Sequence, residues 1–201
     1  MRRTVDCIAL ISGGIDSFVS IHLLKDIFQI KAVYVNLFHL SHKMEYYHAI
    51  QICKYLDIEF ICIDMPNYST FFLNSLTKED EFTKEYFPGR NLLLLTIAAS
   101  IAQENKIHQI IFGVIKSRRI FPDCSIEFFK NFENIVKLAL NFEITINLPV
   151  IDYTKDEIFL YCKDHNLPVD ISYSCQKGGT EHCLKCPSCI ERFQSQKKVM
   201  D

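Results

Sequence analysis

A six-residue segment near the N-terminus has the composition of a phosphate-binding loop. Residues 12–17, Ser-Gly-Gly-Ile-Asp-Ser, separate an apolar run from residues with helical spacing. Gly13 and Gly14 allow a tight turn and a close approach to a ligand, and a following helix presents N–H groups and its positive dipole end to an anion. Ser12 and Ser17 add hydroxyl donors, and Asp16 is a candidate metal ligand. A generic Gly-Gly turn is the alternative, but strand, turn and helix together favour an anion site.

The loop differs from two widespread nucleotide-binding motifs. It lacks the lysine of G-x-x-x-x-G-K-[ST] and the spacing of G-x-G-x-x-G. Ser-Gly-Gly-x-Asp-Ser instead resembles the PP-loop signature, which grips the pyrophosphate of ATP in enzymes that form adenylates. The resemblance implies ATP as a ligand and a Rossmann-like fold of the adenine nucleotide alpha hydrolase type.

Four of the nine cysteines are crowded into the C-terminal segment. Cys175, Cys183, Cys186 and Cys189 have the spacing C-x7-C-x2-C-x2-C, and four thiolates suit the tetrahedral coordination of Zn²⁺ in a closed, structural site. An odd cysteine count without an export signal favours metal binding over disulfides. An iron–sulfur cluster and four unligated thiols are the alternatives.

The elements that position these motifs alternate between strands and helices. Short apolar runs predict strands at 5–11, 31–37, 59–63, 107–112 and 143–148, and apolar residues at helical spacing predict helices at 16–28, 42–57, 91–105, 127–141 and 155–165. Asn91 is a candidate N-cap of the third helix, and residues 66–88 are predicted to form a loop or lid.

This alternation predicts an α/β fold in which helices cover both faces of a parallel sheet. Ligands of such sheets bind beyond the carboxyl ends of the strands, where the phosphate loop falls. We expect an ATP-binding α/β domain at 1–170 and a four-cysteine zinc segment at 171–201, packed on the same domain.

The composition limits the other functional classes. The chain has 201 residues, 49% of them hydrophobic and 23% charged, with a formal net charge of −2. The lack of a strong positive charge argues against direct nucleic-acid binding. Because neither a signal peptide nor an apolar stretch of membrane-spanning length is evident, we expect a cytoplasmic protein that does not bind membranes.

Several short motifs follow one another in a fixed order along the chain. His42 and Glu45 form a His-x-x-Glu motif. The others are Ser12–Ser17, Phe87-Pro88-Gly89-Arg90-Asn91, Phe121-Pro122-Asp123-Cys124, Thr154-Lys155, and Ser174-Cys175 with Gly178, Gly179 and the three later cysteines. This order of motifs makes the chain similar to the 7-cyano-7-deazaguanine synthase (QueC) family over nearly its whole length.

The resemblance implies conversion of 7-carboxy-7-deazaguanine to its nitrile. ATP activates the carboxylate as an acyl-adenylate, ammonia displaces AMP to give an amide, and a second ATP drives its dehydration. The family uses Mg²⁺ and a four-cysteine zinc site, and it tends to form homodimers. All of these properties are therefore expected for this chain.

Adenylation leaves negative charge on pyrophosphate, which loop N–H groups and cations must stabilise. We assign this catalytic role to Asp16, Ser17 and Arg90, with Gly113 as a further cofactor-binding residue. Arg90 suits a bidentate clamp on phosphate or carboxylate. A surface ion pair is its alternative role.

Four further residues are candidates for substrate binding. Asp123 can accept hydrogen bonds from the guanine-like edge, or it can cap the following helix. Cys124 is expected to line the pocket rather than act as a nucleophile, since no base is evident for it. His42 is expected to bind ligand or to shuttle a proton. Lys116 is expected to contact the edge of the substrate.

Residues 113–124 depart from the family pattern, because they are one residue shorter and carry Lys116, Arg118 and Arg119 in place of neutral or acidic groups. Ser41 also replaces a family arginine. These cations either face solvent or favour a more anionic substrate or a macromolecular acceptor.

Three hypotheses for the function remain, and the first is the nitrile synthase. The second is a diverged ligase that passes the acyl group to another amine, such as a protein N-terminus in a defence system. The third is a zinc-stabilised binding module with a vestigial loop.

Overall fold

The computed structural model describes residues 6–66 and 89–200 of the chain. Except for residue 66, the predicted lid at 66–88 lies outside the described residues, as do Phe87 and Pro88. The strands are β1 (Asp6–Leu10), β2 (Gln29–Asn36), β3 (Glu59–Asp64), β4 (Gln109–Ile111) and β5 (Thr145–Asn147). The helices are α1 (Ile15–Leu24), α2 (His42–Leu56), α3 (Arg90–Glu104), α4 (Ile126–Leu140), α5 (Lys155–Asp164) and α6 (Pro187–Met200).

The five strands form one parallel sheet in the order β3-β2-β1-β4-β5. Ala9 of β1 pairs with Ala32 of β2 on one side and with Ile111 of β4 on the other. In this order the chain direction across the sheet reverses between β1 and β4, the position at which open α/β sheets bind ligands. The predicted Rossmann-like fold is confirmed.

Two apolar cores lie on opposite faces of the sheet. One contains Phe18 of α1, Ile52 of α2 and Phe159 of α5, and the other contains Leu95 of α3 and Phe129 of α4. Because both faces of β1 are covered, four of its five residues are buried. This explains why the strand reads as a nearly continuous apolar run rather than an alternating one.

Two predicted helix caps are wrong. Helix α3 begins at Arg90 and has Gly89, with a φ of 75°, as its N-cap, so Asn91 lies inside the first turn. Asp123 does not cap the helix that follows it. Ser125 does so, since its hydroxyl accepts a hydrogen bond from the N–H of Phe128 at 3.1 Å.

Helix α6 was not predicted, because residues 187–200 carry no clear helical pattern of apolar residues. Pro187 opens the helix, where its missing N–H is no loss. The helix packs against α5, and Lys163 donates a hydrogen bond to the carbonyl of Val199 at 2.6 Å. No helix in the described part of the chain combines the length and apolarity needed to cross a bilayer.

Ile110→Ala is expected to lower the free energy of unfolding by about 2–5 kcal/mol, because it leaves a cavity at a fully buried strand position. The matched control is Leu138→Ala on α4, where the side chain is 86% exposed and the expected change is within about 0.5 kcal/mol. Urea unfolding followed by circular dichroism measures both. Equal losses in the two variants would contradict the assigned core.

Candidate active site

The phosphate loop is held by its own serines. The Gly14 N–H donates to Ser12 Oγ at 3.3 Å, and Ser17 Oγ donates to the Gly14 carbonyl at 2.9 Å while accepting from the Ser12 N–H at 3.3 Å. Gly14 is the N-cap of α1, and no side chain caps this helix end. The first N–H groups of α1 are therefore available to an anion.

Two glycines let the loop pack against neighbouring backbone. Gly13 has a φ of +73°, and an added Cβ would lie 2.4 Å from the carbonyl oxygen of Glu45 in α2. Gly113 follows β4, and an added Cβ there would lie 2.8 Å from the Cα of Ser17. The loop thus lies between α2 and the end of β4, at the point where the strand order reverses.

A cavity of about 300 Å³ opens beside the loop. Of the predicted site residues, it brings together Ser12, Gly14, Asp16, Ser17, Arg90, Gly113, Asp123 and Cys124. Gly13, His42 and Lys116 do not line it. The cavity also includes residues that were not assigned to the site from sequence: His39, Glu45, Arg118, Lys155, Tyr173, Glu191 and Arg192.

Lys155 neutralises the carboxylate of the phosphate loop. Its Nζ donates to both oxygens of Asp16, at 2.6 and 2.8 Å, and the two side chains are 11% and 24% exposed. Thr154 and Glu157 form a capping box that starts α5 at Lys155. In the sequence, the family motif Thr154-Lys155 was the feature that could have identified Lys155 as a site residue. Because both carboxylate oxygens of Asp16 bind Lys155, metal binding by Asp16 stays a prediction.

Asn91 joins helix α3 to the segment that carries Asp123 and Cys124. Its backbone N–H donates to Asp123 Oδ2 at 3.2 Å, and its side-chain Nδ2 donates to the Asp123 carbonyl at 3.0 Å and to Cys124 Sγ at 3.1 Å. Asp123 therefore binds an N–H of the first turn of α3, which is distant in sequence. Burial and the neighbouring Asp123 carboxylate raise the pKa of the Cys124 thiol to about 11, which disfavours a nucleophilic thiolate at neutral pH.

Glu45 adds a further carboxylate to the cavity wall. It lies 3.0 Å from His39 Nε2 and accepts a hydrogen bond from Ser41 Oγ at 2.7 Å. Burial raises the pKa of Glu45, but His39 and the Ser41 hydroxyl outweigh it and leave the pKa below its ordinary value. Ser41, which replaces a family arginine, thus orients Glu45. His42 instead packs on the ring of Phe38, with 5.1 Å between ring centroids.

The three cations in the divergent segment differ in their surroundings. Arg118 forms an ion pair with Glu191 of α6 at 2.8 Å, and Arg119 pairs with Asp152 at 2.8 Å. Lys116 is exposed and outside the cavity. Of the three, only Arg118 reaches the cavity, and a carboxylate there balances its charge.

The four cysteines come together as one cluster. Their Sγ atoms lie within 4.8 Å of one another, and thiolates about 2.3 Å from one tetrahedral ion would be about 3.8 Å apart. None forms a disulfide. Although burial raises the pKa of Cys183, the N–H groups of Lys185 and Cys186 lower it to about 6. The donor set therefore fits a metal ion.

The cysteine segment contacts the phosphate loop directly. The N–H of Tyr173 donates to the Gly13 carbonyl at 2.8 Å, and its hydroxyl donates to the Gly179 carbonyl at 2.7 Å. Gly178 has a φ of +71°, and an added Cβ would lie 2.1 Å from the carbonyl oxygen of Leu40. Residues around the cysteines thus form part of the site wall.

Solved structures with a similar fold include two synthetases and a thiolase. NMN synthetase from Francisella tularensis is 17% identical with a TM-score of 0.53, over 88% of this chain and 69% of that one. The NH3-dependent NAD synthetase from Campylobacter jejuni is 16% identical with a TM-score of 0.53, over 97% and 84%. The U34-tRNA thiolase NcsA from Methanococcus maripaludis, solved with its [4Fe-4S] cluster, is 15% identical with a TM-score of 0.57, over 98% and 66%. The fold and the Ser-Gly-Gly-x-Asp-Ser loop define a protein of the PP-loop ATP pyrophosphatase type.

Sequence comparison identifies the family within this class to which the chain belongs. The family model described as queuosine biosynthesis protein QueC matches residues 6–200, so the chain belongs to the QueC family. It is 33% identical to the 7-cyano-7-deazaguanine synthase of Methanosphaera stadtmanae, over 92% of this chain and 90% of that protein. It is 28% identical to the 7-cyano-7-deazaguanine synthase of Campylobacter jejuni, over 96% and 93%. The resemblance read from the motifs is confirmed.

Gly113→Ala is expected to weaken ATP binding by about tenfold or more, because the new Cβ must displace the backbone of Ser17 at the start of α1. Gly179→Ala is the matched control, since its Cβ would meet only the Glu181 carbonyl oxygen at 3.4 Å. Isothermal titration calorimetry measures the affinities. Unchanged ATP affinity in Gly113→Ala would contradict the role of this close contact.

Proposed function

We propose that this protein is an ATP-dependent carbon–nitrogen ligase that converts 7-carboxy-7-deazaguanine to 7-cyano-7-deazaguanine. The observation that carries the proposal is the shared cavity, in which the phosphate loop and Arg90 lie beside Asp123 and Cys124. A nucleotide and a carboxylate substrate can meet in such a space. The names of the curated relatives in the QueC family support the same substrate class.

The first step joins the substrate carboxylate to AMP. A carboxylate oxygen attacks the α-phosphorus of ATP, a P–O bond forms, and the bond to pyrophosphate breaks. The N–H groups at the start of α1 and the guanidinium of Arg90 bind the departing charge, and Ser17 holds the loop that aims those N–H groups. Mg²⁺, when bound, would neutralise phosphate charge. Asp16 is its proposed ligand, provided that Lys155 turns towards the phosphates.

Nitrogen enters in the second step. Ammonia attacks the acyl carbon, AMP leaves, and a proton is released to give the amide. The amide oxygen then attacks the α-phosphorus of a second ATP and pyrophosphate leaves. Loss of AMP and of the two N–H protons yields the nitrile. Exclusion of water protects the acyl-adenylate from hydrolysis, which suits a cavity bordered by Phe112, Val114 and Phe121.

Asp123 is the proposed acceptor for the guanine-like edge of the substrate. Asn91 occupies one of its carboxylate oxygens, but a carboxylate has about four lone-pair sites and retains acceptor capacity. Cys124 lines the same wall as an uncharged thiol. His42 and Lys116, which lie outside the cavity wall, are proposed to act only if the substrate extends beyond it.

We propose Zn²⁺ as the metal of the four-cysteine cluster. A closed four-thiolate site supports a structural role, because no position is left for substrate. Zinc would tie the 171–201 segment to the ATP-binding domain at 1–170. We also propose a cytoplasmic homodimer, as the family resemblance implies.

Transfer of the acyl group to another amine, such as a protein N-terminus, is the second candidate function. The divergent 114–120 segment motivated it, and Arg118 does reach the cavity. Its ion pair with Glu191, and that of Arg119 with Asp152, leave less positive charge to attract an anionic acceptor. The nitrile synthase is therefore the better-supported function.

The test is incubation of purified protein with 7-carboxy-7-deazaguanine, ATP, Mg²⁺ and ammonium, followed by mass spectrometry of the products. We expect the nitrile, with AMP and pyrophosphate released. Asp16→Ala is expected to lower turnover by about 100-fold or more, because it removes the charge that positions Lys155 or a metal ion.

Three outcomes separate the hypotheses. Adenylate formation without amide or nitrile would favour another acceptor amine. No ATP consumption by wild-type protein would overturn the ligase function and favour a binding module. Full turnover in Asp16→Ala would contradict the role of that carboxylate while leaving the reaction intact.

Cys186→Ser is expected to lose the bound metal together with thermal stability and soluble yield, because a structural metal contributes folding free energy directly. Cys62→Ser is the control, since Cys62 is a half-buried thiol of β3 outside the cluster. Inductively coupled plasma mass spectrometry identifies the bound metal, and thermal unfolding measures the stability of each variant. Iron in place of zinc would indicate that the four cysteines bind an iron–sulfur cluster. Loss of metal without loss of stability would exclude a structural role for the metal.

A further inference from the structure

Arg192 is a buried cation on the wall of the proposed nucleotide cavity. It lies on α6, three residues after Cys189, and is only 3% exposed. One guanidinium nitrogen donates to Ser172 Oγ at 2.9 Å, and another donates to the Val169 carbonyl at 2.7 Å. The guanidinium also lies 5.8 Å from the ring centre of Phe159.

The hydrogen-bond partners of Arg192 in the described structure are uncharged. Within residues 6–66 and 89–200, no carboxylate forms an ion pair with it. Two other cations of the cavity are balanced, since Lys155 binds Asp16 and Arg118 binds Glu191. A buried charge without a carboxylate in direct contact is costly, so an anion that enters the cavity gains from binding Arg192.

The position of Arg192 favours phosphate over other anions. The turn that it holds, Val169–Ile171 with Ser172, leads directly to Tyr173, whose N–H donates to the Gly13 carbonyl of the phosphate loop. Burial lowers the pKa of Arg192, and the charges of Asp170 and Asp16 oppose this effect. Arg192 is connected to the phosphate loop through one short backbone segment, residues 169–173.

We propose that Arg192 is an anion-binding residue that binds oxygens of the β- and γ-phosphates of ATP and of the released pyrophosphate. The inference rests on the proposed function, in which the cavity binds ATP. A guanidinium presents a planar fork of donors that suits phosphate. The helix that supplies the last cysteine of the cluster would then also supply a charge to the reaction site, so the cysteine segment is part of the nucleotide site.

The experiment compares Arg192→Met and Arg192→Lys with wild-type protein, all in the metal-loaded full-length chain. Arg119→Met is the matched control, because Arg119 is a surface arginine paired with Asp152. Isothermal titration calorimetry gives affinities for inorganic pyrophosphate, AMP and 7-carboxy-7-deazaguanine at constant ionic strength. Metal content and thermal unfolding are measured on every sample.

We expect Arg192→Met to weaken pyrophosphate binding by about tenfold or more, the effect of losing one charge-assisted hydrogen bond. Binding of AMP should change by less than about threefold, and Arg119→Met should behave as wild type. The pyrophosphate affinity of Arg192→Lys should lie between those of Arg192→Met and wild type, because lysine keeps the charge but not the planar fork of donors.

Ser172→Ala separates binding from folding. It removes one acceptor of the guanidinium but keeps the cation, so we expect reduced thermal stability with pyrophosphate affinity retained. If Arg192→Met does not fold, Arg192→Lys decides: pyrophosphate binding weakened selectively over AMP supports the proposal, and unchanged binding overturns it.

The remaining outcomes are distinct. Equal loss of pyrophosphate and AMP binding would assign Arg192 a structural role and overturn the proposal. Selective loss of 7-carboxy-7-deazaguanine binding would identify the substrate carboxylate as the anion and overturn the phosphate assignment. If wild-type protein bound neither ATP nor pyrophosphate, the proposed function itself would fail, and this inference with it.

Discussion

The close packing of backbone around the phosphate loop is the constraint on which the site depends. Gly13 lies against the carbonyl of Glu45, and Gly113 lies against Ser17, at distances that no side chain could tolerate. These contacts bring α2 and the end of β4 to the same few residues at the reversal point of the sheet. The fold itself therefore places the first N–H groups of α1 at the cavity, which is the preorganisation that the proposed adenylation would need.

Charge pairing organises the cavity around this loop. Lys155 neutralises Asp16, and Glu191 neutralises Arg118. Pairs of this kind cost less to bury than isolated charges, so the cavity can hold several ionic groups within an apolar fold. In the proposed reaction, these carboxylates and cations would exchange their present partners for phosphate, a metal ion or the substrate carboxylate.

The cysteine segment lies next to the phosphate loop and forms part of the cavity wall. Tyr173 lies two residues before the first cysteine of the cluster and donates its N–H to the phosphate loop, while α6 contains the last cysteine and carries Glu191 and Arg192 to the cavity wall. A metal held by four thiolates would fix both ends of this segment. Its effect on the site would then pass through two backbone connections rather than through any open coordination position.

The sequence by itself determined the parallel α/β fold, the phosphate loop, the four-cysteine cluster and the family, because each is a local pattern of residue types and spacing. Tertiary structure alone decided which distant groups meet. Asn91 was predicted as a cap, yet it binds Asp123 and Cys124 across 32 and 33 positions. Lys155 reaches Asp16 across 139 positions, and helix α6 formed where no clear helical pattern exists. Such contacts depend on how helices pack on the sheet, which is a property of the folded chain and not of any single segment.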